Sequence, residues 1–173
     1  TFYPLFYDIA TLGWTTDIVS KPFKNFNLHF LLTLQKPEYK DYEYSAYGVS
    51  YSYNDKIIPE LSKTLIEIDP SYFMLKGDLR LWLSFRYFGN QYGNPTNAIS
   101  YNGWWESFGG VDYKLNRNID LKFQVVNILN ETGIKGALVG ANQILDDTNY
   151  KGRKIVAGAI RPRTYELTLN FKF

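Results

Sequence analysis

Few residues in this chain are equipped for chemistry. Its 173 residues include one histidine, His29, and no cysteine. Disulfides, thiolate metal sites and any centre that needs two histidines are therefore excluded. His29 lies on the polar side of an alternating segment. No Ser or Asp stands near it in the sequence at a spacing that would build a nucleophile–base pair. Glu67 and Asp69, two apart, share one face of a strand. They have the chemistry to line a polar path or hold a cation, but a cross-strand ion pair with Arg80 or Arg86 is the stronger reading. Asp146 and Asp147, with Asn142 and Asn149, offer oxygens to Ca²⁺ but lack the spaced ligand loop such sites use, and read as a solvated loop. Gly133, Gly136, Gly140 and Gly152 have no strand–loop–helix context and form no phosphate cradle. No catalytic constellation emerges, so the expectation is a protein that is not an enzyme and needs no cofactor or metal.

The aromatic residues are the other chemical resource. They make up 18% of the chain, as 15 Tyr, 12 Phe and 4 Trp. Tyr39, Tyr42, Tyr44, Tyr47, Tyr51 and Tyr53 crowd one segment. Tyrosine combines apolar area with a hydrogen-bonding tip at low entropic cost, which suits a ligand surface. A loop packed on itself is an equally weighted reading. Trp104 and Trp105 point to opposite faces of one strand. Trp104 shares the polar face with Trp82 and Phe88, where an indole can stack on a sugar or apolar ligand or pack against another part of the protein; packing is favoured. The candidate ligand-binding residues are Tyr42, Tyr44, Tyr47, Tyr51, Tyr53, Trp82 and Trp104.

The elements that must position these side chains are strands. Helical periodicity is scarce and period-two alternation recurs. Tyr165, Leu167, Leu169, Phe171 and Phe173 fall on one face of the last segment, and Glu166, Thr168, Asn170 and Lys172 on the other. Phe26, Leu28, Phe30, Leu32 and Leu34 alternate with Asn27, His29, Leu31, Thr33 and Gln35. Leu79, Leu81, Leu83, Phe85 and Tyr87 alternate with Asp78, Arg80, Trp82, Ser84 and Arg86, and Leu121, Phe123 and Val125 with Asp120, Lys122 and Gln124. From Ile99 to Leu115 one face carries Tyr101, Trp105, Val111 and Tyr113. A weaker strand runs from Lys63 to Phe73, where Pro70 predicts a bulge or interruption because it has no N–H to donate. A further strand is drawn around Trp14 to Phe23.

The connections alternate as well. Lys24-Asn25, Leu75-Lys76-Gly77 and Asn116-Arg117-Asn118 suit tight turns. Between them lie long connections at about 36–62, 89–97 and 131–160. A net charge of +2 and a pI of about 8.6 are too weak for a nucleic-acid partner. A spanning helix needs about 20 apolar residues in a row, and no such run exists. A transmembrane barrel hides its alternating strands from averages such as a mean hydropathy of −0.29. A soluble β-sandwich that binds glycans is the competing architecture. Long strands, aromatics near strand ends and the regular exchange of short turns and long loops favour the barrel.

The stretches FNLHFLLTLQKPEY (26–39), KTLIEIDPSY (63–72), GVDYKLNRNIDLKFQVVNILNETGIKG (110–136) and IRPRTYELTLNFKF (160–173) resemble the C-terminal barrel portion of TonB-dependent outer-membrane receptors. The Bacteroidetes type, related to the SusC-like transporters, is the most similar. The resemblance implies an all-β fold: an antiparallel transmembrane β-barrel segment of six to seven strands, with short periplasmic turns and long extracellular loops. Such strands belong to a 22-stranded barrel. Residues 1–173 would then be the last part of the barrel, with plug domain and TonB box outside this chain. Energy-coupled uptake of a glycan, siderophore, cobalamin or peptide across the bacterial outer membrane follows. A structural or assembly role in an outer-membrane complex is the alternative. The implied partners are membrane lipid, the receptor's plug and other strands, TonB, and a SusD-like surface lipoprotein. Tyr165, Leu167, Leu169, Phe171 and Phe173 resemble the terminal signal read by the outer-membrane assembly machinery.

One consequence is specific to the last strand. With Leu169 facing lipid and Asn170 facing the lumen, Lys or Arg at position 169 should abolish assembly, since a cation near the midplane costs about 2–4 kcal/mol. The same change at Asn170 should be mild. Heat-modifiable migration of the membrane fraction reads both, and equal tolerance at the two positions would refute the lipid-facing assignment.

Overall fold

The computed structural model describes residues 7–46, 48–139, 141, 145, 154 and 156–172. Its strands are β1 (Asp8–Ser20), β2 (Phe26–Lys40), β3 (Glu43–Ala46), β4 (Val49–Ser52), β5 (Thr64–Met74), β6 (Leu79–Phe88), β7 (Gln91–Tyr92), β8 (Ser100–Tyr101), β9 (Trp104–Lys114), β10 (Ile119–Val126), β11 (Ile134–Val139), β12 (Val156–Ala159) and β13 (Thr164–Phe171). Seven of them form one antiparallel sheet in the order β1-β2-β5-β6-β9-β10-β13. The remaining six make three separate hairpin-like pairs, β3–β4, β7–β8 and β11–β12, all within the long connections. Among the described residues no second sheet packs face to face on the seven-stranded one, which removes the sandwich.

Alternation fixes which side chains share a face, and register joins them across strands. Phe26 opposes Tyr72, Phe30 opposes Ile68, and Leu81 opposes Val111. Leu121 opposes Leu169 and Phe123 opposes Leu167. These rows make one continuous apolar face, and it is uncovered: Leu12 is 83% exposed, Trp14 69% and Leu167 72%. The C-terminal residues Tyr165, Leu169 and Phe171 lie on the same face; Phe173 is outside the described residues.

The first strand differs from its expected place. β1 spans Asp8–Ser20 rather than Trp14 to Phe23, and residues 21–25 form the turn. Its apolar residues are diluted by Thr11, Thr15, Thr16 and Gly13, so its period is faint. The expected strand from Ile99 is also divided: β8 ends at Tyr101, and β9 starts at Trp104 after the Gly103 N–H donates to Asn90 Oδ1 at 2.8 Å. At Pro70 the outcome is an interruption and not a bulge. The β5–β6 pairing skips Asp69 and Pro70 and resumes at Ser71↔Trp82 with the register unchanged.

Gly110 is required by a close approach. It lies opposite Trp82, and a Cβ there would come within 2.5 Å of the Phe123 carbonyl oxygen and 2.9 Å of the indole. Trp82 therefore lies over a position with no side chain. Gly110→Val should overpack this spot at a cost of about 1–3 kcal/mol. The expected result is a lower urea midpoint for the folded protein, with a change in tryptophan emission; an unchanged midpoint would contradict the packing.

Candidate functional site

The polar face of the sheet carries ion pairs. Arg86 Nη2 donates to Glu67 Oε1 at 3.3 Å, Arg80 meets Asp112 at 3.6 Å, and Lys172 meets Asp120 at 2.7 Å. Lys135 reaches from β11 to Glu106 at 2.9 Å. Each cation stands near a carboxylate on a neighbouring strand or loop, which the period-two pattern alone would allow at many registers. The Glu67–Arg86 pair expected from the sequence is present. Arg80 takes Asp112 instead.

His29 is more connected than its sequence neighbourhood suggests. Its Nε2 lies 2.9 Å from Asp17 Oδ1 on β1, and its Nδ1 lies 3.1 Å from Asp69 Oδ2 on β5. These partners are 12 and 40 residues away. A spacing search within one segment misses them; strand register was the signal that would have found them.

Trp104 and Trp82 both face the polar side, but they do not meet. Trp104 stacks on Phe88 with ring centroids 5.1 Å apart. Trp82 opposes Gly110, six residues further along β9, or roughly 20 Å at the usual rise. The indole N–H groups of both tryptophans are buried and have no hydrogen-bond partner among the described residues. The guanidinium of Arg80 lies 5.9 Å from both the Phe73 and the Trp82 ring centroids.

At the long-loop end the connections pack into a small core of their own. The Asn97 side chain ties loop to loop like a rung: its Nδ2 donates to the Ile57 carbonyl and its Oδ1 accepts the Ile57 N–H, both at 2.7 Å. Asn94, 0% exposed, donates to the Ala141 carbonyl at 3.0 Å and accepts the Ile99 N–H at 3.1 Å. Tyr101, one of the aromatics expected near a strand end, belongs to this layer. Its hydroxyl donates to Gln91 Oε1 or to the Gly136 carbonyl, each 2.9 Å away, and burial raises its pKa.

The tyrosine cluster is held in the first long connection. Tyr39 contacts Tyr7 and Tyr42 edge-on, and Tyr42 packs against Tyr7 and Tyr53 with centroids 4.7 Å apart. Tyr53 is 2% exposed, so its ring offers no external surface; Tyr42 and Tyr51 are half-buried. Burial, and then the neighbouring tyrosines, push the Tyr39 phenol up to about 12, so it stays neutral. Tyr44 lies in β3 opposite Tyr51. Tyr47, Gly140, Asn142, Asp146, Asp147, Asn149 and Gly152 lie outside the described residues. Lys40 pairs with Asp55 across the base of this loop and holds the Asp55 carboxyl below its ordinary value.

No protein-family model matches the chain, and no curated protein matches it. Solved structures do. The siderophore receptor PiuA from Acinetobacter baumannii matches 96% of this chain with a TM-score of 0.74 at 17% identity. The ferric yersiniabactin uptake receptor FyuA from Yersinia pestis matches 96% with a TM-score of 0.70 at 11% identity. The ferric-catecholate import receptor Fiu from E. coli K12 matches 97% with a TM-score of 0.64 at 19% identity. The chain spans about a fifth of the length of these receptors, 22%, 24% and 22% of each. At such identities the likeness establishes the fold: the chain has the architecture of a segment of an outer-membrane receptor barrel.

The tyrosine packing yields a contrast between two neighbours. Tyr53→Ala should open a cavity of the kind that costs about 3–5 kcal/mol for a buried aromatic and expose residues 41–62 to protease. Tyr51→Ala should leave protease resistance near that of the unaltered protein. Limited proteolysis followed by mass spectrometry measures both, and equal cleavage in the two variants would contradict the packing.

Proposed function

We propose that this chain is part of the wall of a TonB-dependent outer-membrane receptor that imports a scarce nutrient. The observation that carries the reading is the sheet's two-sidedness. One face is apolar and uncovered, and the other bears ion pairs and two buried indole N–H groups without partners among the described residues. A soluble protein rarely leaves so large an apolar face to water. In lipid the same face is satisfied, and the polar face lines a lumen. The open edges of β1 and β13 then need further strands, because an unpaired edge is not viable in hydrocarbon. The residues would divide the work by place. Leu81, Val111, Phe123 and Leu167 contact acyl chains. The indoles of Trp82 and Trp104 offer N–H donors to a plug inside the barrel. The short turns lie in the periplasm, and the packed long loops face outward and receive the ligand. TonB acts on the plug, outside residues 1–173.

Ferric siderophores are the substrate class we place first, since siderophore receptors share this architecture. A SusC-like transporter with a SusD-like lipoprotein stands second, on the sequence resemblance and the tyrosines of the first long loop. Two measurements test the proposal. The intact protein should fractionate with the outer membrane, and deleting its gene should abolish TonB-dependent uptake of one ligand class, iron chelates before glycans. An intact protein that stays monomeric in buffer without detergent would overturn the membrane reading. Uptake that persists without TonB would overturn the energy coupling.

A further inference from the structure

Transport leaves one cluster on the polar face unexplained. It lies where β1, β2, β5 and β6 run side by side. His29, Glu67 and Asp69 each present one ligand atom, all within 4.8 Å of one another, and they are the one such group among the described residues. We propose that His29 Nδ1, Asp69 and Glu67 bind a divalent transition-metal ion of the Zn²⁺ class, with Asp17 holding the imidazole from behind.

The geometry around the imidazole has the form that metal-ligating histidines take. Such a histidine gives one ring nitrogen to the metal and donates the other N–H to a carboxylate, which fixes its tautomer and orientation. Here Nε2 lies 2.9 Å from Asp17 Oδ1, while Nδ1 faces Asp69 Oδ2 at 3.1 Å. A metal inserted on the Nδ1 side takes the place of a proton there, and Nε2–H keeps its bond to Asp17. Nitrogen with two carboxylate oxygens suits Zn²⁺ and its neighbours, at about 2.0–2.2 Å per bond. Ligand atoms already within 4.8 Å need only small side-chain adjustments to reach that range.

Two further observations point to a ligand. Ser84, only 9% exposed, faces Asp69 across the strands and its hydroxyl interacts with that carboxylate, yet among the described residues neither Ser84 Oγ nor Asp69 Oδ1 makes a hydrogen bond of normal geometry. The register of β5 and β6 puts Ser84 opposite Asp69, at the point where Pro70 interrupts the ladder. Both side chains line a recess of about 380 Å³ on the polar face, with Arg80, Trp82, Arg86 and Phe108, so the cluster opens to the recess at Asp69, though His29 and Glu67 do not line it. Charge favours it too. Asp17, Glu67 and Asp69 have one permanent cation paired to them, Arg86, and a histidine that is charged only when protonated, while Arg80 in the same recess is paired to Asp112. Such a site is independent of transport and belongs to this face of the sheet whatever the receptor imports.

The test uses the intact outer-membrane protein in detergent, stripped of metal and titrated with Zn²⁺ by calorimetry and with Co²⁺ by visible absorption. The unaltered protein should bind one equivalent more than His29→Gln or Asp69→Asn, with a Co²⁺ band of tetrahedral type that both variants lose. Asp17→Asn should weaken that site by about 10–100-fold, as expected for an orienting carboxylate. Arg86→Gln should tighten it, since Glu67 is released and a like charge removed. Heat-modifiable migration checks that each variant is folded; His29→Gln keeps size and hydrogen bonding and so guards against a simple failure to assemble. Equal stoichiometry in the unaltered protein and in His29→Gln, or no saturable site at all, would overturn the proposal.

Discussion

The structure depends on one constraint: every main-chain N–H and C=O must find a partner within the sheet. Side chains elsewhere can be exchanged, but in a hydrocarbon setting an unpaired peptide group costs several kcal/mol. The long antiparallel ladders answer that demand. β1 and β2 pair over thirteen positions and β6 and β9 over ten, with no register shift. With pairing settled, the period of two decides the rest. Each strand sends one set of side chains to each face, so an apolar exterior and a charged interior come from the same residues without a core between layers.

Burial is therefore inverted relative to a soluble domain. The most enclosed residues lie mainly in the long connections, not in the spanning part of the sheet: Tyr53, Asn94 and Ala141 are shut in, while Leu81 and Phe123 are open. The loop layer is held chiefly by side-chain amides, bonded to backbone at Asn94 and Asn97 and to the Ser62 hydroxyl at Gln91. Asn127 does the same at the end of β10, bonding the carbonyls of Glu131 and Arg161. Amide side chains can replace a missing ladder rung, so irregular loops can pack as firmly as a small domain. Loops packed in this way gain rigidity without extending the sheet.

These features differ in how far they can be read from sequence. β2, β6, β10 and β13 were legible because their apolar residues keep strict alternation over most of a strand. β1 was misplaced because Gly13 and its threonines blur the period. The loop layer was illegible, since nothing local marks Asn97 as the partner of Ile57, 40 positions away. The tyrosines were visible as a group, but composition could not separate Tyr53, which is enclosed, from Tyr51, which is half-buried. The His29 cluster shows the same limit. Its members come from three strands, and only the register brings Asp17 and Asp69 to the two ring nitrogens.

Register also explains why the polar face is uneven. Where strands are continuous, cations and carboxylates meet in pairs, as at Arg80–Asp112 and Arg86–Glu67. Where the ladder is interrupted at Pro70, Asp69 Oδ1, Ser84 Oγ and the Trp82 indole N–H make no hydrogen bond of normal geometry among the described residues, although Ser84 and Asp69 face each other. Proline removes a donor, and Gly110 removes the side chain that would have filled the space beside Trp82. Pro70 and Gly110 thus border the part of the polar face where these three atoms lie. A buried polar group without a partner is costly in any folded chain. Three such atoms around one recess leave the polar face with capacity for a further contact there.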